Sequence, residues 1–176
     1  MLGLSRKIDW VNDQFAVIAD WFVLGACVIS AGNASIRYLF NYSSNAWLEI
    51  QWYMFGAVVL LGASNTLRKN EHVRVDIVYA SVTDRTRLWI DIIGFTVFLL
   101  PTGIFLTILS IPFFLQSFAY REVSMNAGGL ILWPIKLVLP LGFGLLTLQG
   151  VSELIKRVAA LRGAIEIDTH YEKPLQ

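Results

Sequence analysis

Five ionisable residues stand inside or at the edges of long apolar stretches of this 176-residue chain: Asp20, Glu49, Asp91, Lys136 and Glu153. A charge at the centre of a lipid-embedded helix costs about 2.5–3.5 kcal/mol, so each is a functional hypothesis with a partner to be found. Glu49, Asp91 and Glu153 lie near the ends of their stretches and can reach water or headgroups there. Solvation or helix capping accounts for them, and Asp91 also falls in a first helical turn, where the macrodipole favours an anion. Asp20 and Lys136 sit deeper. Lys136 either snorkels outward along its stem or pairs with Glu49 or Glu122.

Other chemistries lack their parts. The histidines, His72 and His170, are far apart and keep no helical two-His spacing. Cys27, the one cysteine, lies in an apolar run and reads as a small buried hydrophobe, unable to build a disulfide framework or a metal site. Gly128–Gly129 lacks the lysine of a phosphate-binding loop and reads as a hinge. No catalytic constellation, cofactor or metal is expected. A net charge of +1 supplies no field for nucleic acid.

The elements that carry these residues follow from composition. The chain is 56% hydrophobic and 15% charged, with mean hydropathy +0.59, which places it in the membrane class. A bilayer core of about 30 Å needs about 20 helical residues. Four stretches qualify: 15–36, 47–67, 88–115 and 130–154. Helices are expected because lipid offers no partner to an unpaired backbone amide, and the period-two alternation of a β-barrel is missing. The third stretch is overlong and holds Pro101 and Pro112, so it is expected to tilt or kink. The first outruns a signal-peptide core and follows a mixed-charge leader, so it reads as an uncleaved helix.

Orientation follows from basic residues. Eleven of the 14 lysines and arginines fall in the leader, the 68–87 connection and the tail. Arg37 and Arg121 alone mark the opposite side. Both termini are therefore expected in the cytoplasm. Trp10, Tyr79 and Trp89 on one boundary, and Tyr38, Tyr42, Trp47, Tyr120 and Trp133 on the other, suit interfacial belts.

Within the 68–87 connection Val75, Val78, Tyr79 and Val82 share one helical face. The spacing predicts a short amphipathic helix over about 73–82, lying in the interface with Arg68, Lys69 and Arg74 near lipid headgroups. Thr83 with Asp84 reads as the N-cap of the third span. Ala26, Ser30 and Ala34 recur every four residues and allow close helix approach. No internal repeat of the kind secondary transporters carry is visible. Four helices leave little room for an aqueous path, and the chain reads as a partner of something larger.

Two runs then point to a family. Glu49-Ile-Gln51-Trp52-Tyr53 opens the second span, and Leu67-Arg68-Lys69-Asn70-Glu71-His72-Val73-Arg74-Val75-Asp76 follows it. Arg85-Thr-Arg87 with Asp91, Glu122-Val-Ser124, Gly128-Gly129-Leu130 and Trp133-Pro134-Ile135-Lys136 complete the pattern. In that order the chain resembles the small, DctQ-like membrane subunit of tripartite ATP-independent periplasmic (TRAP) transporters, from about Trp47 to Glu153. Where the family often has Ser-Pro ahead of the basic pair, this chain has Thr83-Asp84.

The resemblance implies a heterodimer with a large, sodium-coupled, elevator-type membrane subunit, supplied with an organic acid by a periplasmic solute-binding receptor. The small subunit would widen the scaffold and offer part of the receptor's docking surface. On that basis Glu49, Trp52, His72, Arg74, Asp76 and Asp91 are candidate contacts to the large subunit or anchors of the interfacial arm. Glu122, Ser124 and Lys136 are candidates for the outer surface near the receptor. Each could equally serve local capping or loop order. The rival reading is a self-sufficient four-helix exporter, a homodimer exchanging protons for cationic drugs through an intramembrane acid. Asp20 lies too near the cytoplasmic end for that, and the long 68–87 connection is out of character. A quinone or haem oxidoreductase is remote, for want of cysteine pairs or paired intramembrane histidines.

Overall fold

A computed structural model describes residues 2–71 and 82–165. Four helices fill it: α1 (Leu2–Phe40), α2 (Asn45–Arg68), α3 (Asp84–Ala119) and α4 (Trp133–Leu161), all long and apolar enough to cross a membrane. α1, α2 and α3 cover their expected spans and extend past both ends, α1 by thirteen residues at its start, whereas α4 begins three residues later than the expected 130 and runs seven residues past 154. Among the described residues no strand forms. The expected interfacial helix over 73–82 lies, Val82 aside, outside the described residues.

Local chemistry sets the boundaries. The Ser44 hydroxyl caps α2 by accepting the Ala46 N–H at 3.3 Å. Thr83 occupies the N-cap position of α3 in extended conformation, but its hydroxyl bonds Thr86 at 2.9 Å instead of a backbone amide. Three helices end alike. Asn70, Arg121 and Gly163 each take positive φ just past α2, α3 and α4. The next amide then reaches back five residues, from Glu71 to Thr66, Glu122 to Ser117 and Ala164 to Ala159. This Schellman closure satisfies terminal carbonyls that lipid would leave bare.

The overlong third span, expected to tilt or kink, holds a π turn at Phe95–Leu99. Pro101 has no N–H to donate, and its ring crowds the carbonyl four residues back. The backbone widens ahead of it, so that the Leu100 N–H reaches Phe95.

α4 is the hub. It packs against α1, α2 and α3, while α1 and α2 pack on each other. The apolar core is small and sits in the α1–α2–α4 group: Ala19, Ala57, Leu61 and Leu145, with Phe15, Phe22, Val11 and Val138 around them. Many large apolar side chains point outward, among them Trp21, Val28, Phe98 and Phe105. Between membrane helices, close packing takes the place of the hydrophobic drive. Here it depends on glycines of α3 and α4. A Cβ on Gly142 would stand 2.7 Å from Leu60 Cβ and 2.9 Å from its carbonyl oxygen. Gly103 abuts Thr147 and Gly150 abuts Leu99 in the same way. The small-residue face expected on α1 is only partly used: Ala26 is fully buried, whereas Ser30 and Ala34 are exposed. Cys27, expected to be buried, is exposed on the surface of α1.

Gly142→Ala should therefore lower stability by about 1–3 kcal/mol through overpacking. Gly62→Ala, where nothing lies within 4 Å, should be neutral or raise stability by up to about 1 kcal/mol. Unfolding of both variants in detergent, followed by circular dichroism, checks the contrast.

Candidate functional site

The cross-helix polar contacts gather at the two ends of the bundle. At the end where α1 begins and α4 finishes, α4 presents Gln149, Ser152, Glu153, Lys156 and Arg157. Their spacing of i, i+3, i+4, i+7 and i+8 puts them on one face. α1 answers with Ser5, Asp9, Asn12 and Asp13 at i, i+4, i+7 and i+8. The two stripes interlock. Ser5 and Ser152 share a hydrogen bond of 2.7 Å, and Asn12 donates to Gln149 at 2.8 Å. Gln149 and Ser152 both donate to Asp9 at 2.9 Å. Lys156 bridges Asp9 and Glu153, each at 2.8 Å.

The other helices are drawn in by arginines. Arg157 of α4 pairs with Asp91 of α3 at 2.7 Å and with Glu153 of its own helix. Its guanidinium also lies 4.6 Å from the centroid of Phe95, one turn after Asp91, at the start of the π turn. Arg68 of α2 pairs with Asp13 and donates to the Asp9 carbonyl at 3.2 Å. Gln149 and Ser152 are completely buried, and Arg157 is 4% exposed. One clamp therefore holds all four helices.

The opposite end has its own clamp, built on Glu49 in the first turns of α2. Its carboxylate accepts from the Ser124 hydroxyl, from the Asn126 amide at 2.6 Å and from the Leu130 N–H at 2.7 Å. The α3–α4 connection is thereby folded into a small hairpin. Val123 bridges Ile131 in antiparallel sense, and the Ser124 N–H reaches the Leu130 carbonyl at 2.9 Å. Gly128 takes φ +73°, and a Cβ on Gly129 would stand 2.4 Å from the Ser124 carbonyl oxygen. The glycine pair read as a hinge is a tight reversal that only glycine permits.

Beside it Lys136 pairs with Glu122 and lies 4.1 Å from the centroid of Phe113. Of the three arrangements left open for Lys136, this is the one the structure holds. Its lysine partner keeps the Glu122 carboxyl below the ordinary carboxylate value. In both clamps the polar groups serve one another. Among the described residues, no three His, Cys, Asp or Glu side chains converge to hold a metal ion.

Residues 26–160 match the family of tripartite ATP-independent periplasmic transporters, DctQ component. The chain belongs to that family. The match spans about three-quarters of the sequence and begins earlier than the resemblance read from motifs. No curated protein and no solved structure matches the chain. The matched span includes Glu49, the hairpin, Asp91 and the whole α4 stripe of this DctQ component. It leaves out Ser5, Asp9, Asn12 and Asp13, the α1 half of the first clamp.

The candidate residues thus sort by place. Glu122, Ser124, Lys136 and Glu49 come together at the hairpin, and Asp91 joins the clamp at the other end. Trp52 is exposed on α2. His72, Arg74 and Asp76 lie outside the described residues. Solvation or capping was expected to account for Glu49, Asp91 and Glu153. Instead Glu49 and Glu153 are each 5% exposed and fully engaged inside the protein, and the Asp91 side chain is 15% exposed. The reasons are local: at one end α1 and α4 pack their polar faces on each other, with Arg157 joining Glu153 to Asp91, and at the other the 120–132 connection folds its donors onto Glu49.

Sequence reasoning missed Ser5, Asp9, Asn12, Gln149, Ser152 and Arg157. The signal was a polar stripe at helical spacing on two helices, passed over because only apolar periodicity was sought.

Removing the Arg157 guanidinium by Arg157→Ala takes from Asp91 its ion pair with α4, while Glu153 keeps Lys156, and should cost about 3 kcal/mol, the lower end of what breaking a buried pair costs; chemical unfolding in detergent checks it. For Glu122 the folded value is depressed, so the pair with Lys136 adds stability above the unfolded value near 4.5. That stability is lost as pH falls through the folded value. Glu122→Gln should flatten the pH dependence of stability on the acid side, measured by melting from neutral to acid pH.

Proposed function

We propose that this chain is the small integral-membrane subunit of a sodium-coupled, receptor-dependent TRAP transporter for organic acids. In this reading it is the fixed scaffold against which a large elevator-type subunit moves. The hairpin end faces the periplasm and forms part of the receptor's docking surface, and both termini are cytoplasmic in the inner membrane. Family membership supports the transporter assignment. The distribution of basic residues supports the orientation.

The observation that carries the scaffold role is the way charge is used. A carrier needs polar groups facing a route for its solute. Here the buried charges are consumed in cross-links between helices, and the core between the clamps is Ala19, Ala57, Leu61 and Leu145. Cross-linked at both ends, such a bundle resists being dragged by a moving neighbour.

Asp20 supports the presence of that neighbour. It is exposed on α1 between exposed Val17 and Leu24, seven residues or about 10 Å deeper than Asp13 by helical rise. A carboxylate left facing lipid is costly. A donor from the large subunit relieves that cost and marks this face of α1 as covered. The predicted arm around Arg74 and Asp76 extends the same contact along the cytoplasmic interface. The homodimeric exporter draws no support from the family match.

Charge reversal by Asp20→Lys or Arg74→Glu should reduce co-purification of the large subunit about tenfold, equivalent to about 1.4 kcal/mol of binding. Undiminished recovery would remove that face or that arm from the interface. Vesicles holding this chain alone should move no solute under a sodium or proton gradient, and transport by them would end the scaffold reading.

A further inference from the structure

A shallow cleft between the start of α3 and the end of α4 takes no part in either clamp. Its volume is about 340 Å³, and it is lined by Arg85, Trp89, Ile92, Val158, Leu161 and Arg162. Arg85 and Arg162 are exposed, and the nearest carboxylates along α3 are already engaged. Asp84 pairs with Arg87 at 2.9 Å and Asp91 with Arg157 at 2.7 Å. Two arginines therefore line one cleft, and the described acids of α3 beside it are taken up elsewhere.

The lining is graded along the helix axes. Trp89 follows Arg85 by one turn and Ile92 by two, about 6 Å and 10 Å deeper at the helical rise. On α4, Val158 stands one turn inward of Arg162, with Leu161 beside it. Charge sits at the membrane surface, a half-exposed indole below it, and aliphatic carbon below that. This is the order of phosphate, glycerol ester and acyl chain in a phospholipid. A free anion would use only the mouth and leave the indole and the aliphatic floor without a role. A choline or ethanolamine headgroup would bring an ammonium between two guanidiniums, with no unengaged carboxylate among the described residues of α3 and α4 to receive it.

We propose that this cleft binds an anionic phospholipid. The phosphodiester lies between Arg85 and Arg162, the ester region against Trp89, and the first methylenes on Ile92, Val158 and Leu161. Guanidinium suits the geometry of a phosphate oxygen pair, and basic pockets between helices at a cytoplasmic surface are where such headgroups collect. A lipid seated there would fill the gap between α3 and α4 beside the Asp91–Arg157 pair. The inference rests on the membrane reading and the cytoplasmic orientation proposed above, and stands apart from the transport role.

Native mass spectrometry of the purified full chain, incubated with phosphatidylglycerol or phosphatidylcholine, tests it. The phosphatidylglycerol adduct should be retained about tenfold or more over phosphatidylcholine, the order that two basic residues at a membrane surface supply. The Arg85→Gln/Arg162→Gln double variant should lose that preference with an unchanged melting curve. Lys7→Gln, at a basic residue of a different groove, should keep it. Excess inorganic phosphate should leave the adduct in place. Equal retention of the two lipids by the unaltered chain overturns the proposal, as does a preference that survives in the double variant. Displacement by inorganic phosphate overturns it too, and assigns the site to a soluble anion.

Discussion

An ionised side chain drawn away from water must find its counter-charge inside the protein, and α4 is organised around that requirement. Its last four turns carry Gln149, Ser152, Glu153, Lys156 and Arg157 on one face, a composition no lipid-facing helix could keep. The face is stable only when α1 supplies Asp9 and Asn12 and α3 supplies Asp91. Buried ion pairs of this kind add little net stability over an apolar core. Their effect is on uniqueness, since a helix rotated by a quarter turn would leave several of these groups unpaired. The polar face thus fixes the rotation and register of α1 and α4, and through Arg157 and Arg68 it fixes α3 and α2 as well.

The same requirement explains the fine structure. Arg157 can serve Asp91 and lie against Phe95 because the π turn begins at Phe95, just ahead of the proline that forces the backbone to widen. Glu49 can collect three donors because Gly128 and Gly129 fold the 120–132 connection back on itself. Gly142 lets α2 approach α4 closely, which keeps both clamps within reach of their partners. Backbone irregularities at Pro101 and Gly128 are placed where a polar contact depends on them.

Much of the fold was legible from the residues. Four spans and their approximate limits follow from apolar length, and Pro101 and Pro112 marked the third as irregular without saying where the backbone would widen. The family was legible too, since Trp133-Pro134-Ile135-Lys136 and the run through His72 and Asp76 stand in order and at distance. The polar clamp at the terminal end was not read, although Gln149 to Arg157 shows helical spacing. A polar stripe at the edge of a span looks the same whether it meets water, headgroups or a second stripe. Cys27 and the Ala26–Ser30–Ala34 series failed for a related reason: small residues permit close approach on whichever side a helix happens to meet a neighbour.

The amino-acid sequence by itself determined that this is a four-helix membrane chain of the DctQ family, because hydropathy, span length and short ordered motifs are one-dimensional properties. Only the tertiary structure decided which charges are cross-links and which are stranded. Glu49, Asp91, Glu153 and Lys136 proved to be engaged within the chain, while Asp20 faces outward. Position along a helix sets the depth of a charge in the membrane, but its energy depends on what stands opposite. That is settled only when helices distant in sequence are packed at one angle and one register.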